Sequence, residues 1–191
     1  MSGLNVLAEI RRVLELESRA IAGLQKNLGP DYEEAVRLLF SCKGKVVVTG
    51  VGKSGIIGQK IAATMVSTGT PAMFLHSADG MHGDVGIIQK DDVVLAIGKS
   101  GESEELGTIL PVARKIGAKV ISITARLKST MVRNSDLILH TPIEEEACPF
   151  NMAPTTSTTA ALVVGDALAM ALMKLRNFQP KEFAVNHPGG Q

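Results

Sequence analysis

Short apolar runs alternate with helical patterns from residue 45 onwards, and this alternation constrains the fold more than any other feature of the sequence. Each run is apolar along nearly its whole length, which is typical of strands that are buried on both faces of a parallel sheet. The predicted strands are 45–49, 72–76, 92–97, 119–123 and 136–140. The predicted helices among and after them are 54–68, 103–116, 128–133 and 156–176. This order predicts a three-layer α/β/α sandwich around a five-stranded parallel sheet.

A pair of helices is predicted to precede the sheet. Apolar residues recur at three- and four-residue steps from Leu4 to Ile21, so residues 3–28 are predicted to form a long amphipathic helix. A second helix is predicted over 31–41, with Asp31 as its N-cap. The sequence has no repeat or linker, so 1–191 is predicted to be a single domain. Its predicted parts are the helical pair (1–43), the α/β core (44–177) and a C-terminal tail (178–191).

Charge and composition argue against several kinds of partner. The chain has 20 basic and 19 acidic residues, with no run of Lys or Arg, so a nucleic acid is not expected to bind. Cys42 and Cys148 lack disulfide spacing, and the N-terminus lacks the pattern of a signal peptide, which together predict a cytoplasmic protein. The longest apolar stretch, 160–173, spans about 14 residues and is too short for a bilayer. It is predicted to be a buried core helix, with no membrane contact.

The turn after the first predicted strand, residues 50–55, has the pattern G-x-G-x-x-G. That pattern is typical of dinucleotide sites, which also need an acidic residue at the end of the next strand, and here that strand ends at His76. A Walker A motif would require glycine in place of Val47. Lys53 and Ser54 add a cation and a hydroxyl, so the turn favours a compact phosphate. A glycine turn that only packs the helix on the strand is the structural alternative.

A second turn of the same kind, residues 98–103, follows the third predicted strand. Its hydroxyls, on Ser100 and Ser103, could bind a phosphate together with the N–H groups at the start of the next helix. Ligands of such sheets bind beyond the carboxyl ends of the strands, so the two turns predict one phosphate site. Ser103 is also a candidate helix cap. A third polar cluster, 155–159, opens the last long helix, where capping is the alternative to binding.

Several segments, taken in chain order, resemble the sugar isomerase (SIS) domain of D-arabinose 5-phosphate isomerases. They are Gly50–Gly55, Ser67–Pro71, His82–Asp84, Ser100–Ser103, Glu146–Pro149, Ala153–Thr155, Gly165–Ala167 and His187–Gly190. The resemblance implies a flavodoxin-like fold and interconversion of D-ribulose 5-phosphate and D-arabinose 5-phosphate, which supplies the lipopolysaccharide sugar Kdo. It also implies a homotetramer. Many relatives continue into two CBS domains, whereas this chain stops at Gln191, which predicts a short form without them.

The resemblance also implies roles for individual residues. The residues at catalytic positions are Lys53, Glu105, Glu146, His187 and His82. The residues at substrate-binding positions are Gly52, Ser54, Gly55, Gly69, Thr70, His82, Ser100, Gly101 and Ser103. His76 stands where some members bind zinc, although the reaction implied by the resemblance requires no metal or other cofactor.

An aldose–ketose isomerisation through an enediol needs a base over the C1–C2 edge and a donor to the developing oxyanion. We expect Glu105 to be the base and Lys53 to polarise the carbonyl. His82 and His187 are candidates for moving a proton between O1 and O2, with Glu146 orienting one of them. Because His187 lies near the C-terminus, we expect it to complete the site of a neighbouring subunit. The structural alternatives are a helix-dipole partner for Glu105, a solvated charge run for Glu146 and an exposed tail for His187.

The chain departs from the family pattern at several positions. Many relatives have Ser-Asn-Ser-Gly where this chain has Gly98-Lys99-Ser100-Gly101, and a histidine where it has Ile56. Lys99 adds a cation beside the predicted phosphate. Two alternative functions stay open, a non-catalytic sugar-phosphate sensor and an isomerase of another sugar phosphate. A nucleotide-dependent oxidoreductase is disfavoured, because the ribose-binding acid is missing.

Overall fold

The computed structural model describes residues 5–189, so Gly190 and the predicted helix start at 3–4 lie outside the described residues. Five strands form one parallel sheet in the order β2-β1-β3-β4-β5. The strands are β1 (Val46–Gly50), β2 (Ala72–His76), β3 (Val93–Ile97), β4 (Lys119–Thr124) and β5 (Leu137–His140). This is the flavodoxin-like strand order, so the predicted fold class is confirmed.

Eight α-helices flank the sheet within the described residues. They are α1 (Val6–Lys26), α2 (Pro30–Phe40), α3 (Gly52–Ser67), α4 (Ser77–Met81), α5 (Glu104–Ile116), α6 (Thr130–Arg133), α7 (Thr156–Leu175) and α8 (Pro180–Asn186). A 3₁₀ helix spans Asp84–Ile87. The sequence did not predict α4, α8 or the 3₁₀ helix, because segments this short show no clear periodicity. Helix α8 lies in the segment that was expected to be a tail.

The start of α2 differs from the prediction. Asp31 was expected to be the N-cap, but Gly29 occupies that position and forms no side-chain capping bond. Pro30 is the first helical residue, where its fixed φ suits the helix and its missing N–H is not needed. Asp31 therefore lies inside the first turn, where its carboxylate interacts favourably with the helix dipole.

The two faces of the sheet bury separate apolar clusters. On one face, residues from α2, α3 and α7 pack against Val46 and Val48 of β1. On the other face, residues from α5 and α6 pack against Val47 and Val94. Successive side chains of β1 thus pack against the helices on opposite faces of the sheet, and all five of its residues are buried. The arrangement confirms the predicted three layers.

Helix α7 is long and apolar enough to cross a membrane by length and composition alone. In the structure one of its faces is buried in the core, at Ala160, Val164, Leu168 and Leu172. A Cβ on Gly165 would overlap the side chain of Ile61 on α3, so glycine is needed for the close contact of these two helices. The prediction of a core helix in this region is confirmed for that face, whereas Met170 and Leu175 of the helix are exposed.

A crevice forms where the strand order reverses. β1 and β3 are neighbours, with Gly50 level with Ile97 at their carboxyl ends. From there the chain enters α3 on one face of the sheet and α5 on the other. In open α/β sheets, ligands bind at such a switch point. Both predicted phosphate turns lie at this crevice.

Candidate active site

The turn after β1 combines tight packing with free donors. A Cβ on Gly55 would lie 2.8 Å from the carbonyl oxygen of Gly50, so Gly55 lets α3 start directly against the strand. The close contact that the packing alternative requires is therefore present at this glycine. Lys53 is exposed and Ser54 is half-buried in the first turn of α3, where the backbone N–H groups have no helical partner. Such a helix start can bind a phosphate.

The turn after β3 is held by backbone hydrogen bonds to its neighbours. Gly98 N–H donates to the carbonyl of Ile123 at 3.1 Å, and the Lys99 carbonyl accepts from Ala125 N–H at 3.2 Å. Gly101 has a φ of +68°, and a Cβ there would overlap Ser129. Only glycine meets both conditions at this position. The turn is therefore fixed before any ligand arrives.

Ser103 occupies the N-cap position of α5 without acting as a side-chain cap. Its Oγ makes no capping bond and is buried without a hydrogen-bond partner among residues 5–189. A buried hydroxyl without a partner costs about 1–3 kcal/mol. This cost favours a ligand role for Ser103 over the capping alternative, because a bound phosphate oxygen would accept its hydrogen bond.

Replacing Ser103 with alanine is expected to weaken phosphate binding by about tenfold, since one hydrogen bond to a charged group is lost. The midpoint of thermal unfolding should stay unchanged or rise slightly, because no protein partner is lost. Titration with inorganic phosphate followed by calorimetry measures the first effect, and a melting curve measures the second. Ser41→Ala, which removes an exposed hydroxyl at the end of α2, is the control. A lower melting midpoint with unchanged phosphate affinity would assign Ser103 to helix stability instead.

Glu146 lies at the N-terminus of α7 and is only 2% exposed. Its Oε2 accepts from Thr155 N–H at 2.9 Å, from Ser157 N–H at 3.1 Å and from the Thr155 hydroxyl at 3.2 Å. Its Oε1 accepts from the Ser157 hydroxyl at 2.5 Å and from Lys99 Nζ at 2.8 Å. The carboxylate thus caps α7 and is surrounded by five donors.

These contacts set the protonation state of Glu146. Burial raises the pKa of the carboxyl, but hydrogen bonds from Lys99, from the Ser157 hydroxyl and from the backbone of Thr155 and Ser157 lower it to about 2. The group is therefore ionised at neutral pH. A carboxylate with five donors and this pKa is a weak base. It is therefore better suited to fixing Lys99 and the start of α7 through its negative charge than to removing a proton from a substrate.

The solvated charge run considered for Glu146 does not describe it. Glu144 and Glu145 are exposed as that alternative requires, whereas Glu146 turns into the core. The histidine that Glu146 was expected to orient is absent from its contacts within the described residues. The polar cluster at 155–159 also has a role, because two of its members donate to Glu146. The sequence interpretation missed the contributions of Lys99 and Ser157.

The remaining predicted catalytic residues are distributed around and beyond the crevice. Lys53 in α3 and Glu105, half-buried in the first turn of α5, approach it from opposite faces of the sheet. His82 is exposed just after α4. His187 ends α8, where its ring stacks on Phe183 at a centroid distance of 3.9 Å and its Nδ1 lies 2.9 Å from the Phe183 carbonyl oxygen. Its contacts in the described part of the chain are thus local.

Gly69 and Thr70 lie away from the crevice of their own chain. They follow the C-terminal end of α3, a helix of 16 residues that is about 24 Å long, so they lie at the opposite edge of the sheet from Lys53. Thr70 is buried and accepts from Arg176 Nε at 3.3 Å, and a Cβ on Gly69 would overlap Phe178. A substrate in the crevice cannot contact these two residues within one chain, and their contacts here are structural.

His76 does not form a zinc site with its own surroundings. Its Nδ1 lies 4.0 Å from an Asp79 carboxylate oxygen, and no group of three or more possible ligands occurs in residues 5–189. A tetrahedral zinc site needs three or four protein ligands. The side chains described near His76 therefore do not fit a zinc ion.

The fold and the two glycine-rich turns define an α/β domain whose switch point has the geometry of a phosphate site. A family model of the SIS domain matches residues 39–171. The chain therefore belongs to the SIS domain family.

Curated relatives and solved structures agree with this assignment. Arabinose 5-phosphate isomerase KdsD of Pseudomonas aeruginosa is 46% identical over 187 residues, which are 98% of this chain and 57% of that protein. The protein of the same name from Escherichia coli K12 is 48% identical over 180 residues, which are 94% of this chain and 55% of that protein. The chain thus spans about half the length of these relatives. The structure of E. coli CFT073 c3406 in complex with arabinose 5-phosphate is 40% identical, covers 98% of this chain and 100% of that chain, and has a TM-score of 0.94.

Proposed function

We propose that the chain is an aldose–ketose isomerase that interconverts D-ribulose 5-phosphate and D-arabinose 5-phosphate. The observation that carries this proposal is the similarity, over nearly the whole chain, to proteins named arabinose 5-phosphate isomerase and to a solved structure in complex with that sugar phosphate. The product would supply synthesis of the lipopolysaccharide sugar Kdo. A cytoplasmic location and a reaction that requires no cofactor belong to the same proposal.

The phosphate binds in the crevice between the two turns. Backbone N–H groups at the starts of α3 and α5 and the hydroxyls of Ser54, Ser100 and Ser103 are the donors. Support comes from the switch-point position of both turns and from the buried Ser103 hydroxyl that lacks a protein partner among residues 5–189. Fixing the phosphate orients the distant C1–C2 end of the sugar, so binding energy contributes to the reaction.

The chemical steps use the groups on either side of the crevice. Glu105 removes a proton from C1 of the ketose and returns it to C2. Lys53 stabilises the negative charge that develops on the C2 oxygen. A histidine, His82 or His187, gives a proton to the C2 oxygen and accepts one from the C1 hydroxyl, so the exchange of protons balances. Glu146 stays ionised throughout.

The proposal is tested by incubating the chain with D-ribulose 5-phosphate, without added cofactor and in the presence of EDTA. Appearance of D-arabinose 5-phosphate, followed by nuclear magnetic resonance of carbon-13-labelled substrate, is the expected result. Solvent deuterium should enter C2 of the product in those turnovers in which the proton held by Glu105 exchanges with solvent before its return, which an enediol mechanism allows. Hexulose and heptulose phosphates measured in parallel test the choice of substrate. Tight binding of sugar phosphates without turnover would support the non-catalytic sensor instead.

A site shared between subunits is a further part of the proposal, and a mixed oligomer tests it. If His187 is the histidine that exchanges protons with the substrate, Glu105→Ala and His187→Ala chains should each be inactive alone, whereas an active His187→Ala chain would assign that role to His82. If His187 completes a neighbouring subunit's site, co-refolded mixtures contain some sites with both residues intact, so activity should return to about a quarter of the wild-type level at equal mixing. Mixing the two variants without refolding is the control. A co-refolded mixture as inactive as its parents would place both residues in one chain's site.

A further inference from the structure

Lys99 joins two parts of the site that lie on different layers of the fold. Its backbone belongs to the turn after β3, which leads into α5, and its carbonyl accepts from the Thr124 hydroxyl at 3.2 Å. Its Nζ reaches a carboxylate oxygen of Glu146, 2.8 Å away, at the start of α7. Because α5 and α7 cover opposite faces of the sheet, this ion pair crosses the carboxyl edge beside the crevice.

The two partners of this ion pair differ in their surroundings. The side chain of Lys99 is 34% exposed, whereas that of Glu146 is 1% exposed and is fixed by four further hydrogen bonds to α7. The carboxylate is therefore the rigid partner, and the lysine is held by it. The position of the ammonium is therefore set by the start of α7.

We infer that Lys99 is a positioning residue, which fixes the phosphate turn 98–103 relative to the N-terminus of α7 through its ion pair with Glu146. The kinetic part of this inference rests on the proposed isomerase function, whereas the ion pair itself does not. Lys99 differs from a phosphate ligand in one clear respect. Its loss should disturb the alignment of bound substrate more than the affinity for phosphate.

The charged and polar groups near Glu146 determine how far its pKa should change when Lys99 is removed. The cationic group that contacts the carboxylate directly is Lys99. The Cys148 thiol lies close enough to interact with its charge, and Arg12 of α1 donates to the neighbouring Ala147 carbonyl. With Lys99 removed, the carboxylate loses an adjacent positive charge, so the pKa of Glu146 should rise. The four donors from α7 remain and limit that rise.

The experiment compares Lys99→Met with Lys60→Met. Lys60 forms a similar ion pair with Asp166 of α7, but from the middle of α3 and outside the site, so it is a matched control. Lys99→Met is expected to lower kcat about tenfold with less than a twofold change in KM, and Lys99→Arg should recover most of the loss. Lys60→Met should leave both constants unchanged. In a Glu146→Gln background, Lys99→Met should have almost no additional effect on kcat.

A second measurement does not depend on turnover. Carbon-13 labelling of glutamate carboxyl groups follows the titration of Glu146, and its pKa should rise in Lys99→Met but not in Lys60→Met. If the wild-type chain turns over no sugar phosphate while this shift occurs, the proposed function fails and the ion pair stands. Three results would overturn the inference. They are an unchanged pKa of Glu146 in Lys99→Met, additive effects of Lys99→Met and Glu146→Gln on kcat, and a large rise in KM with kcat unchanged in Lys99→Met. The last result would make Lys99 a direct phosphate ligand.

Discussion

Replacing Glu105 with glutamine is expected to lower kcat for the isomerisation by about a thousandfold, since general base catalysis contributes roughly 10²–10⁴ to such rates. Glutamine has the same shape but cannot take a proton from C1. Glu105 is half-buried in the first turn of α5, two residues after the Ser103 hydroxyl, so it lies near a phosphate held by that turn. KM should change little, because phosphate binding does not depend on this side chain.

The neighbouring residue offers a close control. Glu104 lies in the same first turn of α5 and is exposed, so Glu104→Gln removes the same interaction with the helix dipole without touching the crevice. Both variants should lose only about 0.5 kcal/mol of unfolding free energy. Steady-state rates and urea unfolding of the two variants separate catalysis from stability. Equal rates in both would identify Glu105 as a helix-dipole partner, which is the structural alternative.

The sheet and its order along the chain were predictable because their signal is local. The run Val46–Val48 is apolar at every position, and only a strand covered on both faces can bury all of it. The two glycine-rich turns were also predictable as turns, since each follows an apolar run and precedes a helical pattern, whereas their binding of a phosphate stays a prediction. The exact start of α2 was not, because Asp31 and Pro30 both suit a first turn.

Glu146 shows why the rest of the site was harder to predict. It follows two exposed glutamates, and nothing within the run distinguishes the third from its neighbours. Its burial depends on Lys99 and Ser157, which are distant in sequence and meet it only when α7 packs beside β3. Gly69 and Thr70 illustrate the opposite case. The resemblance implies that they contact the substrate, but the 16 residues of α3 place them at the opposite edge of the sheet from Lys53.

Glu146 should also dominate the acid dependence of stability. Its pKa is about 2 in the folded chain and near 4.5 when unfolded, so the folded state favours the ionised form. The resulting stabilisation of about 3 kcal/mol is fully present above pH 4.5 and is lost as the pH falls from 4.5 to about 2. Glu146→Gln should therefore be about 3 kcal/mol less stable than the wild type at pH 7, and the difference should shrink through that acid range.

Denaturant unfolding at several pH values and constant protein concentration measures this difference, with Glu145→Gln as the control. Glu145 is exposed and adjacent, so its variant should follow the wild type at every pH. A pH-independent difference for Glu146→Gln would mean that its effect comes from shape and capping, not from charge. The expected convergence at low pH would instead show that the ionised carboxylate stabilises the fold, whereas a carboxyl with a raised pKa would be destabilising when ionised. That result would agree with a role for Glu146 in holding Lys99 and the start of α7 in place, and with the proposal of Glu105 as the base.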